Sequence, residues 1–214
     1  MSFYINNNNQ NKPGVIHGNP LNHLCERALI EVPKIFDACI IKCSDSGIIL
    51  NASGNNPAGP AEPLTYISAE SSGLATVTNT VVVRIESEPN YANVSCDVNI
   101  PVTITYRDAI GQIGTAMAII TLAESAVLFV PQAALSPVEI KATAMFSSTI
   151  GTYSGNNIFN VTGCAQIILK VVSMVDLLVP SYGYPVIPPC QSNPVAQCPG
   201  MFEIPLYPSA TPRG

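Results

Sequence analysis

A strict alternation of apolar and polar side chains runs through residues 94–107, VSCDVNIPVTITYR. The even positions are Val94, Cys96, Val98, Ile100, Val102, Ile104 and Tyr106. A helix would scatter these side chains around its axis, whereas a strand places all of them on one face. The segment is therefore predicted to be a strand with one buried face. Pro101 lacks a backbone donor, which predicts an edge position or a bend.

The same two-residue period recurs in three further segments. The predicted buried faces are Val77, Val81, Val83 and Ile85; Ile140, Ala142, Ala144 and Phe146; and Val161, Ala165, Ile167, Leu169 and Val171. Segments such as SGNNPAGP, SEPNYAN, RDAIGQIG and TYSGNN separate these strands and are typical of turns. Short strands joined by such turns predict an all-β, antiparallel sandwich or a jelly-roll-like domain.

The two ends of the chain lack this pattern. Residues 1–24 are rich in Asn and predict an extended N-terminal arm, and residues 25–178 hold the predicted sandwich domain. Residues 179–214 contain nine prolines, which cannot enter a central sheet and favour extended geometry. The third region is therefore predicted to be a Pro-rich C-terminal tail.

Charge is scarce in this chain. Charged residues make up 11% of its 214 residues, against about 25% in a typical soluble domain, and the formal net charge is −5. This balance excludes a basic surface for nucleic acid or anionic lipid. The most apolar segment is interrupted by Glu124 and Pro131, so no membrane span is predicted. A surface poor in charge resists self-association weakly, so the predicted partner is the chain itself.

The chain contains seven cysteines, and an odd count leaves at least one thiol free or bonded to another molecule. On a strand, Cys39, Ile41 and Cys43 share a face, with the two cysteine Cα atoms about 13 Å apart. That separation is too large for a disulfide or a shared zinc ion, so this pair is predicted to be packed and inert. No metal site and no cofactor are expected.

The remaining cysteines differ in their predicted exposure. Cys96 lies on the apolar face of its strand and is predicted to be buried. Cys164 shares the polar face of its strand and is predicted to point outward. Cys25 stands where the arm meets the domain. The candidate cross-links between subunits are therefore Cys25, Cys164, Cys190 and Cys198. An internal clip from Cys190 to Cys198 is the alternative.

The sequence gives little reason to expect an enzyme. It contains no phosphate-binding loop, nucleophile elbow or zinc-protease motif. His17 and His23 lie in or beside the Asn-rich arm, with no positive charge nearby to activate a thiolate. The carboxylates that could in principle act as an acid–base pair are Asp37, Asp97, Asp108, Glu124 and Asp176, and nothing favours any of them. No catalytic residue is assigned.

Three segments carry a resemblance to a known group of proteins: RALIEVPKIFDACIIKC, VNIPVTITYRDAIGQIGTA and PSYGYPVIPPCQ. They resemble cysteine-rich, self-assembling proteins of the clostridial spore surface, which form exosporium, coat or appendage structures. The resemblance covers most of residues 25–200. It implies a disulfide-linked layer or filament at the spore surface, with other spore-surface proteins as further partners. It also implies synthesis in the mother-cell cytoplasm, which agrees with the lack of a signal peptide pattern in MSFYINNNNQNKPG.

The leading hypothesis is thus a structural subunit that assembles with its own copies. One alternative is an adhesion or carbohydrate-binding sandwich, for which Tyr182 and Tyr184 are the candidate sugar-stacking residues. A viral capsid or tail protein is a further alternative, because it would obey the same physics.

Overall fold

A computed structural model describes residues 19, 21, 24 and 26–185 of the chain. In this part of the chain all regular structure is β-sheet. The strands are β1 (Glu26–Asn51), β2 (Ser53–Asn56), β3 (Thr65–Ser71), β4 (Thr76–Ile85), β5 (Glu88–Arg107), β6 (Ile113–Phe129), β7 (Glu139–Tyr153) and β8 (Ile158–Ser181). The prediction of an all-β antiparallel fold is confirmed. The predicted arm and tail lie almost entirely outside the described residues.

The strands form one open sheet in the order β1-β8-β7-β3-β5-β6-β2, and β4 pairs with β5 beside this path. β1 and β2 lie at opposite ends of the order, yet only Ala52 separates them in the chain. The Ala52 N–H donates to the carbonyl of Asn157 at 2.8 Å, and this hydrogen bond anchors the one-residue link between β1 and β2. The two strands at the ends of the order are therefore joined directly in the chain, through Ala52.

The core lies on one face of the sheet. On β5 every even position from Val94 to Tyr106 is buried, as the alternation predicts. On β8 the predicted face Val161, Ala165, Ile167, Leu169 and Val171 is buried too, together with Phe159. Full burial of one such aliphatic side chain stabilises a fold by about 1.5–3 kcal/mol, so these two strands supply much of the driving force.

The prediction of one continuous buried face on β4 is wrong. Val77 pairs with Val98 on the core side, but Val81 and Val83 pair with Ser95 and Asn93 on the opposite side. The register shifts between Thr78 and Val81, where Asn79 adopts a φ of 51°. One extra residue in a strand reverses the orientation of every side chain that follows it. The period of two therefore fails across this bulge.

Pro101 occupies neither a sheet edge nor a strand end. It lies in the middle of β5, where pairing with β4 stops at Asn99 and pairing with β3 begins at Val102. The Pro101 carbonyl accepts a hydrogen bond from Ser72 at 2.9 Å, so the ring nitrogen faces the same gap between β3 and β4. A residue without an N–H fits at this position because no partner strand requires one.

Two compact units are distinguished along the chain. One comprises Val32–Val175 and contains the core described above. The described part of the other consists of residues 19, 21, 24, 26–31 and 176–185, which include the outer ends of β1 and β8. Leu29 and Leu178 in this second unit are exposed apolar residues.

Candidate functional site: cysteines and the open sheet edge

Of the four candidate cross-linking cysteines, the structure describes Cys164. Cys25, Cys190 and Cys198 lie outside the described residues, so their role stays a prediction. Cys164 is exposed on β8, as predicted from the strand pattern, and pairs with Ser147 of β7. Its thiol lies 3.7 Å from the hydroxyl of Ser44. A thiol at this position is accessible to a second molecule.

The other described cysteines turn inward. Cys96 is buried on β5, which confirms its prediction. Cys39, Ile41 and Cys43 are half-buried on one face of β1, while the intervening residues Ile40 and Lys42 are exposed. The predicted sharing of a face is therefore confirmed. Within residues 26–185 no group of three potential ligands is arranged to hold a metal ion.

These inward thiols surround the carboxyl group of Glu124. Glu124 lies directly opposite Cys96 in the β5–β6 register, so both side chains point to the same face. The Cys43 thiol donates to Glu124 Oε1 at 3.8 Å. From the sequence, Glu124 was interpreted as a break in an apolar segment and as one of five carboxylates that could in principle act as an acid or base. The strand register, which sequence alone does not give, shows that it faces inward.

Burial lowers the reactivity of the inward cysteines. Desolvation raises the pKa of the Cys39, Cys43 and Cys96 thiols, and the nearby carboxylates raise it further: Asp37 acts mainly on Cys39, and Glu124 acts on Cys43 and Cys96. The thiolate is the nucleophile in disulfide chemistry, and a raised pKa reduces its population at neutral pH. These three cysteines therefore act as apolar packing groups.

The Glu124 carboxyl is expected to make folding stability depend on pH. Burial raises its pKa above the ordinary glutamate value of 4.5; the thiol hydrogen bond from Cys43 partly opposes this shift, and the charge of Asp45 adds to it. Because the folded-state pKa is the higher one, the contribution of Glu124 is most favourable below pH 4.5 and is lost as pH rises through the folded-state value.

The replacement Glu124→Gln should remove this penalty. We expect the stability of the variant relative to the wild type to increase from about pH 4 to about pH 7, as measured by urea unfolding. Glu139→Gln is the matched control, because Glu139 is exposed and forms a surface ion pair with Lys141. A stability difference for Glu124→Gln that is independent of pH would contradict this account.

Two of the other candidate carboxylates, Asp37 and Asp108, bind backbone N–H groups. Asp37 Oδ2 accepts the N–H of Phe129 at 2.7 Å and so links β1 to β6. Asp108 is buried, and its carboxylate accepts the N–H groups of Ile110 and Gln112 at 3.1 and 2.8 Å in the β5–β6 turn. Each contact is to a backbone donor.

The clearest interaction feature is the edge of β4. Within the described residues this strand forms a ladder with β5 alone, so no second strand pairs with its other edge. Its final segment, VVVRI, reads Val81–Ile85, and Val81 and Val83 are 55% and 59% exposed. Long, apolar edge strands are templates for pairing with another chain. The bulge that sequence reasoning missed is what exposes these valines, and Asn79, which tolerates a positive φ, was its only signal.

The one charge in this segment is already engaged. The Arg84 guanidinium donates to the carbonyls of Pro89, Val130 and Pro131 at 2.9, 2.6 and 2.7 Å. Charged side chains at an edge usually protect it against pairing with other chains. Because Arg84 is held against carbonyls of its own chain, its cationic side chain is directed back to the subunit and away from a strand that would pair at Val81–Ile85.

No family model, curated protein or solved structure matches this chain. Among the described residues there is also no helix long and apolar enough to cross a membrane.

Proposed function

We propose that the protein is a structural subunit that assembles with copies of itself into a disulfide-stabilised layer or filament of the spore surface. The observation that supports this most is the open β4 edge, with its exposed valines and with its one charged side chain, Arg84, hydrogen-bonded to its own chain. The spore-surface assignment has a separate basis, which is the resemblance of the sequence to clostridial spore-surface proteins.

Pairing at the β4 edge would extend the sheet from one subunit into the next. Each added strand satisfies backbone donors and acceptors, and alternate valines contribute apolar burial on both sides. A contact between two β4 edges is two-fold symmetric and closes as a dimer, so a polymer needs a second contact. The outward Cys164 is one group that can provide it, by a disulfide to a cysteine of a neighbouring subunit.

Two thiols that form a disulfide lose two electrons and two protons, which dioxygen accepts in an oxidising environment. The disulfide makes dissociation slow because subunits cannot separate without breaking a covalent bond. Reductant should therefore shorten assemblies or speed their dissociation without preventing the non-covalent contact.

The test compares purified wild type with Val81→Lys/Val83→Lys by electron microscopy and sedimentation, with and without reductant. The double variant should lose ordered assemblies, because two lysines on a paired edge are costly to desolvate. Gln166→Lys is the matched control; it adds a charge at an exposed position of β8. Loss of assembly in both variants would show a general effect of charge and contradict the role of the β4 edge.

Non-reducing gels test the covalent part of the proposal. Single Ser replacements of Cys25, Cys164, Cys190 and Cys198 should identify the linking residues, and Cys96→Ser serves as the buried control. At least one of the first four replacements should shorten the oligomer ladder. A ladder left intact by all four would show that the chosen cross-links are wrong, and a wild-type protein that stays monomeric at every concentration would refute the proposed function.

A further inference from the structure

The outward side of β5 and its neighbours carries side chains that hydrogen-bond to one another across strands. Asn99 of β5 donates to Thr78 of β4 at 2.9 Å and accepts from Thr121 of β6 at 2.8 Å. A second chain of bonds runs beside it: Ser125 donates to Asn93 at 2.8 Å and lies 3.2 Å from Ser95. Three adjacent strands are thus joined by polar side chains on the side that faces away from the core.

An apolar segment continues this surface. Pro101 pairs with Ile119 and Thr103 pairs with Met117 in the β5–β6 register. Met117 and Ile119 are 61% and 64% exposed. We call the surface formed by Thr78, Asn99, Thr121, Pro101, Met117 and Ile119 the ladder face. Its members come from three strands held in fixed register.

The polar part of the ladder face is inexpensive to bury. A polar group that loses water without gaining a partner costs about 1–3 kcal/mol, but these side chains already bond to one another. Their conformations are also fixed before any partner arrives, which reduces the entropy lost on association. A surface of this kind can be covered without forming many new hydrogen bonds.

The charge of the ladder face restricts its partner. None of its six members is charged; the carboxylates that border it are Asp97, which accepts a hydrogen bond from Asn79 at 2.7 Å, and Glu70, which lies opposite Thr103 in the β3–β5 register. A charged group placed over the six uncharged members would lose its hydration without compensation, whereas an uncharged sheet face of mixed hydroxyl, amide and apolar groups matches them. Serine, threonine and asparagine both donate and accept, so a second ladder face is chemically complementary to the first.

We propose that two copies of the chain pack their ladder faces against each other across a two-fold axis. This inference rests on the proposed function and names a second contact, which lies on the sheet face and not on its edge. Two packed sheets lie about 10 Å apart, with Met117 and Ile119 of each copy filling the layer between them. Face packing combined with edge pairing gives two non-equivalent contacts for each subunit, which is sufficient for an open polymer.

The first experiment places charge on this face. In reductant, Met117→Glu/Ile119→Glu should weaken self-association at least about tenfold in sedimentation equilibrium, since like charges would face each other across the axis. Met145→Glu is the matched control, because Met145 is a comparably exposed methionine on β7. Circular dichroism melting confirms that each variant is folded.

The second experiment traps the contact directly. In a background with Ser at Cys25, Cys164, Cys190 and Cys198, Ile119→Cys should form a disulfide dimer when oxidised with copper phenanthroline in air, and Met145→Cys should not. Equal cross-linking of the two cysteine variants would overturn the ladder-face contact, and so would an unchanged association constant for the glutamate variant. If the wild type still assembles in either case, the proposed function stands. If the wild type never associates, both proposals fail together.

Discussion

Replacing Phe159 with alanine should destabilise the fold by about 3–5 kcal/mol, the largest loss expected from any single core truncation here. Phe159 is fully buried on β8 and contacts three tyrosine rings: its ring centroid lies 6.0 Å from that of Tyr66, 6.2 Å from that of Tyr106 and 5.1 Å from that of Tyr153. Removal of the phenyl ring leaves a cavity among rigid rings that cannot close around it. Urea unfolding followed by circular dichroism measures the loss.

The matched control is Phe129→Ala. Phe129 lies on β6, and its main ring contact is an edge-on pair with Tyr91, whose centroid is 5.8 Å away and whose side chain is exposed. The cost of this replacement should be smaller by at least about 1 kcal/mol, because less apolar surface returns to water. Equal losses for the two variants would show that the cluster around Phe159 is not the centre of the core.

Replacing Gly163 with alanine should destabilise the protein by about 1–3 kcal/mol, although the change adds a single methyl group. A Cβ at this position would clash with Cζ of Phe146 and lie 2.9 Å from the carbonyl oxygen of Ser147. The phenyl ring can rotate or shift, but the carbonyl belongs to β7 and moves only with the strand. The β7–β8 ladder must therefore distort.

A double-mutant cycle separates these two clashes. Phe146→Leu removes the end of the ring, so Gly163→Ala should cost less in that background than in the wild type. The difference between the two costs measures the steric contribution of the ring. Strictly additive costs would show that the ring does not limit this site. The residual cost in the Leu background reports the clash with the Ser147 carbonyl.

The alternation of the sequence predicted much of the interior. On β5 and β8 one uninterrupted period of two places the apolar residues together, and both predicted faces are buried. The same argument placed Cys96 inside and Cys164 outside. These predictions hold because a strand without a bulge alternates strictly, so burial of one face fixes the orientation of every residue in it.

The prediction failed where one residue broke the period. The bulge at Asn79 moves Val81 and Val83 to the outer face of β4, where they become exposed along the open edge on which the proposed assembly depends. Asparagine is common in turns as well as in bulges, so its identity does not reveal an extra residue within a strand. Only the pairing with β5 shows that the register has shifted.

By itself, the sequence determined the all-β class, the inward residues of the unbroken strands and the shortage of charge, because each of these depends on residue type and local spacing. The tertiary structure alone decided that Glu124 lies among thiols, that Gly163 leaves room for a ring, that Pro101 sits between two partner strands and that β4 has an open edge. Those facts depend on which strands pair and in what register. Strand pairing joins residues that are far apart in the chain, so the local spacing of residue types does not predict it.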